Sequence, residues 1–163
     1  MRFATAIFIF IIGIIIAQTA YYFPILPETV ASHFNAAGVA DKWMPKEGFL
    51  IFEAVILLVV IVNFSLLPLL MEKMPDSLIN LPNKQYWLAP ERRAETFAKM
   101  RVFFRWFSVG LLSLILLINQ QVYKANLTRQ DLSPLILWLL IGGFVIFTIV
   151  WMIKFLGQFK IKI

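Results

Sequence analysis

Leu135–Ile153 reads LILWLLIGGFVIFTIVWMI, without one Asp, Glu, Lys or Arg. At about 1.5 Å of rise per residue, a helix of this length approaches the roughly 30 Å hydrocarbon core of a bilayer. Phe3–Phe23, Ala54–Met71 and Trp106–Tyr123 share the property. The chain therefore reads as an all-α membrane protein. Four transmembrane helices, at about 3–23, 49–71, 102–123 and 135–156, are expected to form one bundle, a single integral domain over 1–163.

Composition agrees. Of 163 residues, 61% are hydrophobic and 15% charged. With four spans removed, no soluble domain of ordinary size remains. Cysteine is absent, which removes disulfides, thiolate nucleophiles and Cys-based metal sites together. The net charge of +6 does not point to nucleic acid, because most of the basic residues flank spans, where anionic headgroups supply the counter-charge. The lipid bilayer is the expected partner. Arg2, the first apolar run and Ala17-Gln18-Thr19-Ala20 superficially resemble a signal peptide. That run exceeds the usual apolar core of about 7–15 residues and puts Gln18 where a small residue is wanted, so an uncleaved span is expected.

Charge also orients the chain. With both termini inside, eleven Lys and Arg face the cytoplasm and four face outward; the inverse arrangement violates the positive-inside bias. The cytoplasmic set includes Lys73, Lys84, Arg92, Arg93, Lys99, Arg101 and Arg105, and at the C-terminus Lys154, Lys160 and Lys162. Tyr21, Tyr22, Tyr123 and Trp138 then fall at the outer ends of spans, and Trp106 and Trp151 at the inner ends. The connection over 24–48 is extracytoplasmic on this reading, and that over 72–101 is cytoplasmic.

In the outer loop, Val30, Ser32 and Phe34 alternate with Ala31, His33 and Asn35, which favours a short extended strand. Asn35 to Gly38 carries turn chemistry, and Asp41 to Trp43 can return antiparallel. A small hairpin or ordered loop on the outer membrane surface is expected, anchored by Phe34 and Trp43. Leu26-Pro27, His33-Phe34-Asn35, Gly38, Asp41, Trp43 and Lys46 together resemble the hallmark loop of SdpI-type membrane proteins, a bacterial membrane domain of unknown function found at the N-terminus of toxin-immunity proteins. Asn80 to Arg93 is similar to the stretch that follows it in many short members, so the resemblance covers roughly 15–100. It implies a bacterial inner-membrane location and protection against, or sensing of, a secreted antimicrobial peptide. It supplies no catalytic residue and no cofactor.

The candidate residues follow. In the outer loop, recognition of a ligand or partner would fall to His33, Asn35, Gly38, Asp41 and Trp43. His33 is the single histidine; with Glu28, Asp41 and Glu53 it lacks the close-spaced His and Cys ligands of a zinc site and the converging oxygens of a calcium site. The expected role of His33 and Asp41 is to tie the turn by hydrogen bonds. Glu53, about one turn inside the second span, is costly in lipid; near the outer interface it is expected to be hydrated, to be protonated, or to pair with Lys46 or Lys42. Asn63 lies roughly 80° from it around the helix, so no polar stripe runs through that span.

In the cytoplasmic loop, Asn80, Pro82, Asn83, Tyr86, Trp87, Arg92 and Arg93 form a polar-aromatic stretch suited to recognition. Pro90 suits a helix start, and Phe97, Met100, Phe104 and Phe107 fall at helical spacing, which reads as an amphipathic interfacial helix on the inner leaflet. Asn126-Leu127-Thr128 matches a glycosylation sequon, relevant only in a eukaryotic secretory pathway. Ser108, Gly110, Ser113, Gly142 and Gly143 permit close helix contact without specifying an oligomer. No nucleophile elbow, phosphate loop or paired-carboxylate motif occurs. The expected function is non-enzymatic, with a secreted peptide or a membrane-protein complex as partner.

Overall fold

The computed structural model describes residues 2–160, so Lys162, counted above among the cytoplasmic charges, lies outside the described residues. The helices are α1 (Arg2–Tyr22), α2 (Lys46–Ser65), α3 (Leu67–Met71), α4 (Lys84–Trp87), α5 (Pro90–Thr128) and α6 (Pro134–Gln158). Among the described residues, four helical segments are long and apolar enough to cross a membrane, α2 and α3 counting as one. The chain is a multi-pass membrane protein. It is mostly helical, with one small sheet between α1 and α2.

Local chemistry explains the helix ends. Pro90 and Pro134 open α5 and α6 where a missing N–H does no harm, and the Ser133 side chain caps α6 by accepting from the Ile136 N–H. Pro68 has no N–H to offer the Phe64 carbonyl, and the second span is interrupted at Leu66 between α2 and α3.

All other spans pack on α5. α1 runs parallel to it, with Phe8 under the Arg105 guanidinium near one end and Gln18 bonded to Gln120 near the other. α2 runs antiparallel: Glu53 meets Tyr123, and Ser65 meets Arg105. α6 is antiparallel too, its Trp151 indole donating to the Phe103 carbonyl at 2.8 Å. Close approach of α5 and α6 rests on Gly110, where a Cβ would run into the Phe147 ring. Ser108 is fully buried. A Cβ at Gly142 or Gly143 would meet nothing within 4 Å, so the close contact that these glycines permit is not used within the chain. α6 contributes no buried residue, and its outer face is left to the surroundings.

Three apolar clusters succeed one another along the bundle. One, under the sheet, contains Leu26, Val30, Phe49, Val122, Tyr123 and Leu132. The middle one joins Phe8, Ile11 and Ile15 of α1 to Val60 and Leu112. The third gathers Ile79, Leu81, Leu88, Phe97, Met100 and Phe159 at the opposite end. Arg2 and Lys160 both lie at this opposite end, as an even number of passes requires.

The third cluster corrects the interfacial-helix expectation. α5 is a single unbroken helix of 39 residues, about 58 Å long and roughly twice the hydrocarbon thickness. Its first turns do not lie alone on a leaflet. Phe97 and Met100 are covered by residues 79–88 and Phe159, so protein buries the apolar face that lipid was expected to bury. The charged face behaves as read: Lys99 pairs with Glu95 one turn back at 2.8 Å.

Candidate functional site

The most elaborately built region is the end where α1 hands over to α2. Strands β1 (Thr29–Phe34) and β2 (Ala40–Pro45) pair antiparallel, with Thr29 opposite Pro45 and Ala31 opposite Trp43. The register shifts between Ala31 and Phe34, a bulge around His33. Asn35 closes the turn as an Asx turn, its side-chain oxygen accepting from the Ala37 and Val39 N–H groups at 2.9 and 3.1 Å.

Gly38 is needed for two reasons. Its φ is +83°, and a Cβ would collide with the Leu132 carbonyl. The Gly38 carbonyl in turn accepts from the Leu132 N–H at 2.9 Å, joining the hairpin tip to the α5–α6 connection. The Trp138 indole donates to the Ala36 carbonyl at 3.2 Å from the start of α6.

The central fastening is Asn126, 5% exposed. Its side-chain oxygen accepts from the Ala31 N–H at 2.6 Å, and its amide donates to the Ala31 carbonyl at 3.1 Å and the Val122 carbonyl at 3.0 Å. A primary amide here imitates a neighbouring strand along one edge of β1. The sequon asparagine is thus consumed by the fold, and a glycan could not be attached without undocking the hairpin. β1 is drawn in against the helices, Val30 being fully buried, while Trp43 on β2 stays 59% exposed.

His33 and Asp41 meet as expected, Nδ1 to Oδ1 at 2.5 Å across the strands, and both are well exposed. Glu28 does not join them; it takes the Lys46 ammonium at 2.8 Å. Among the described residues no cluster of three or more His, Asp or Glu side chains is placed to hold a metal ion.

Beneath the hairpin lies a polar layer that the sequence reading did not identify. Glu53 pairs with neither Lys46 nor Lys42, so of the alternatives above the ion pair is not formed: the Tyr123 hydroxyl donates to its Oε2 at 2.6 Å, and Thr19 Oγ1 lies 3.0 Å from the same hydroxyl. The physical reason is direction. Lys46 turns toward Glu28 and lies over the Phe23 ring, whereas Glu53 turns into the bundle. Tyr123 stacks on Tyr22 at 4.7 Å between centroids, Gln120 donates to the Tyr22 hydroxyl at 2.6 Å, and Gln18 donates to Gln120 at 2.9 Å. The second Glu53 oxygen is buried without a partner among the described residues. Gln120, Tyr123 and Asn126, spaced by three on α5, are the signal the sequence offers for this layer.

Between the hairpin and α5 runs an open groove of about 340 Å³. Phe34, Ala40 and Trp43 form its strand wall, and Arg129, Gln130 and Asp131 its other rim. It offers aromatic surface beside one cation and one carboxylate.

At the opposite end the predicted recognition stretch serves mainly as scaffold. Asn83, at φ +52°, and the Trp87 indole both donate to the Phe159 carbonyl, at 2.9 and 2.8 Å, and so finish α6. Arg93 donates to the Glu72 and Met74 carbonyls and pairs with Asp76, clamping the α3–α4 connection. Pro82 is half-buried. Asn80 and Tyr86 remain exposed, Tyr86 beneath the Arg92 guanidinium at 4.1 Å. The two groups of candidates are thus at opposite ends of the molecule and form separate sites.

The hairpin and the two helices that carry it coincide with a sequence family. Residues 8–58 match the family described as Domain of unknown function (DUF1648). No curated protein and no solved structure matches the chain. The matched segment holds His33, Asn35, Gly38, Asp41, Trp43 and Glu53. It excludes α5, which supplies Tyr123 and Asn126.

Proposed function

We propose that this is a non-enzymatic protein of the bacterial inner membrane whose hairpin end, facing outward, recognises a peptide or protein at the membrane surface, in the manner of the SdpI-type immunity and sensing proteins. The observation that carries the reading is the docked hairpin, held by Asn126 and Leu132, with an open groove whose aromatic wall includes Phe34 and exposed Trp43. A hairpin fastened in this way is pre-organised, so little ordering cost falls on binding. The matched domain is one found in SdpI-like proteins. Eleven Lys and Arg against four favour the orientation with both termini in the cytoplasm.

Orientation has a direct test because the chain lacks cysteine. A single His33→Cys variant in intact spheroplasts is expected to react with a membrane-impermeant maleimide before lysis. Reaction only after lysis places the hairpin inside and removes the proposal. For function, deleting the gene is expected to raise sensitivity to a secreted antimicrobial peptide severalfold, measured as inhibitory concentration. A copy carrying Phe34→Ala and Trp43→Ala should fail to restore resistance although it reaches the membrane. A deletion strain indistinguishable from its parent across such peptides counts decisively against the reading.

A second reading, an accessory subunit of a larger inner-membrane transporter or enzyme complex, is favoured by α6, which packs on α5 along one side yet has no fully buried residue, so its other face is left uncovered within the chain. Mild-detergent purification from native membranes separates the two: a stoichiometric membrane partner supports the second, and its absence the first.

A further inference from the structure

At the end away from the hairpin, the interruption at Leu66 opens a groove of about 430 Å³ between α1, the α2–α3 junction and α5. Arg105 and Arg101 both line it. Arg101 is matched by Glu72 at 2.5 Å. Arg105 is not matched: among the described residues no carboxylate lies within 4.0 Å of it, and its one hydrogen bond is to the Ser65 hydroxyl at 3.1 Å. Its guanidinium lies over the Phe8 ring at 4.2 Å, and with only the Ser65 bond made among the described residues most of its N–H donors are free. Two guanidinium groups and one carboxylate leave the groove with a single positive charge.

The remaining walls indicate what neutralises that charge. Thr5 and Ser65 add hydroxyls beside the arginines, while Phe64, Pro68 and Leu69 present apolar surface along the span. Arg105 immediately precedes the uncharged stretch Trp106–Tyr123, so it sits where headgroup meets acyl chain. An uncompensated arginine at that depth is expensive unless it reaches water or an anion. We propose that this groove binds the phosphodiester of an anionic phospholipid. The free donors of Arg105 hold the phosphate oxygens and an acyl chain lies against Phe64, Pro68 and Leu69. One phosphodiester charge neutralises the one left over, and the apolar wall favours a lipid over a soluble phosphate.

The test uses the full chain, purified in a neutral detergent, with retained lipid counted by native mass spectrometry after titration with phosphatidylglycerol. Arg105→Gln is expected to weaken phosphatidylglycerol binding about tenfold, the effect of losing one set of charge-assisted hydrogen bonds. Lys154→Gln, at an exposed site elsewhere at this end, should leave it unchanged. Should Arg105→Gln not fold, Leu69→Trp fills the groove while keeping both guanidinium groups, and a comparable loss is expected. Equal retention by the wild type and a folded variant overturns the proposal, as does an equal loss with Lys154→Gln. Diacylglycerol binding as tightly as phosphatidylglycerol would show that acyl contact alone suffices, against the phosphate assignment. Displacement of the lipid by millimolar glycerol 3-phosphate would assign the groove to a soluble phosphate instead.

Discussion

Asn126→Ala is expected to release the hairpin from the helices while leaving the spans in place. The substitution deletes three hydrogen bonds, two of them to the backbone of Ala31, which is 2% exposed. A buried N–H or carbonyl left unpaired costs about 1–3 kcal/mol, and two are orphaned here, so a loss of about 2–6 kcal/mol in docking is expected. The measurement is amide hydrogen exchange in detergent or nanodiscs. Ala31 and the tip around Gly38 should exchange far faster than in the wild type, while the middle of α5 stays protected. Asn126→Asp is the discriminating variant: it keeps the acceptor for the Ala31 N–H but loses both donors, and should give a partial effect. If protection of the hairpin is unchanged in Asn126→Ala, the amide is not what fastens it.

Tyr123→Ala is expected to be the most damaging single change to helix packing at this end. Tyr123 is 1% exposed, stacks on Tyr22, lies 6.2 Å from the Phe49 ring and donates to Glu53. Emptying so large a buried volume costs about 3–5 kcal/mol. Tyr123→Phe keeps the ring and removes only the hydroxyl shared by Glu53 and Thr19. Interhelical hydrogen bonds within membranes contribute about 0.6–2 kcal/mol, so the phenylalanine variant should retain most of the stability. Thermal unfolding of both variants in one detergent separates packing from polar pairing. A Tyr123→Phe variant as unstable as Tyr123→Ala would show that the bond to Glu53 outweighs the ring.

These effects bear on the proposed recognition in different ways. Asn126 acts on the groove directly, since the Asn126 side chain and both strands line it. Tyr123 acts from one layer below, through the cluster that contains Val30 and Phe49. Hairpin variants that lose protection in hydrogen exchange and lose peptide resistance in parallel would tie the two observations together.

Much of the frame could be read in advance for a simple reason. An uncharged run long enough to cross lipid is a local property, and Leu135–Ile153 shows it with no knowledge of its neighbours. The hairpin was legible on the same terms: strand alternation, the Asn35–Gly38 turn and the His33–Asp41 tie all act within about a dozen residues. The helical spacing of Phe97, Met100 and Phe104 correctly indicated an amphipathic face. What covers that face was not legible, because a segment from 79 to 88 and Phe159 from the far end of the chain do so, rather than lipid.

The bilayer as solvent, the number of spans and the small sheet between the first two are thus determined by the sequence alone, since each depends on short-range patterns of charge and side-chain size. Only the tertiary structure decided the partners of the polar groups. Asn126 stands 95 residues from Ala31, and Tyr123 is 70 residues from Glu53. A carboxylate in a span signals that it must be paired, but which group pairs with it depends on how the helices rotate and pack. That choice turned Lys46 outward to Glu28 and made α5, outside the matched family segment, the element that holds the hairpin in place.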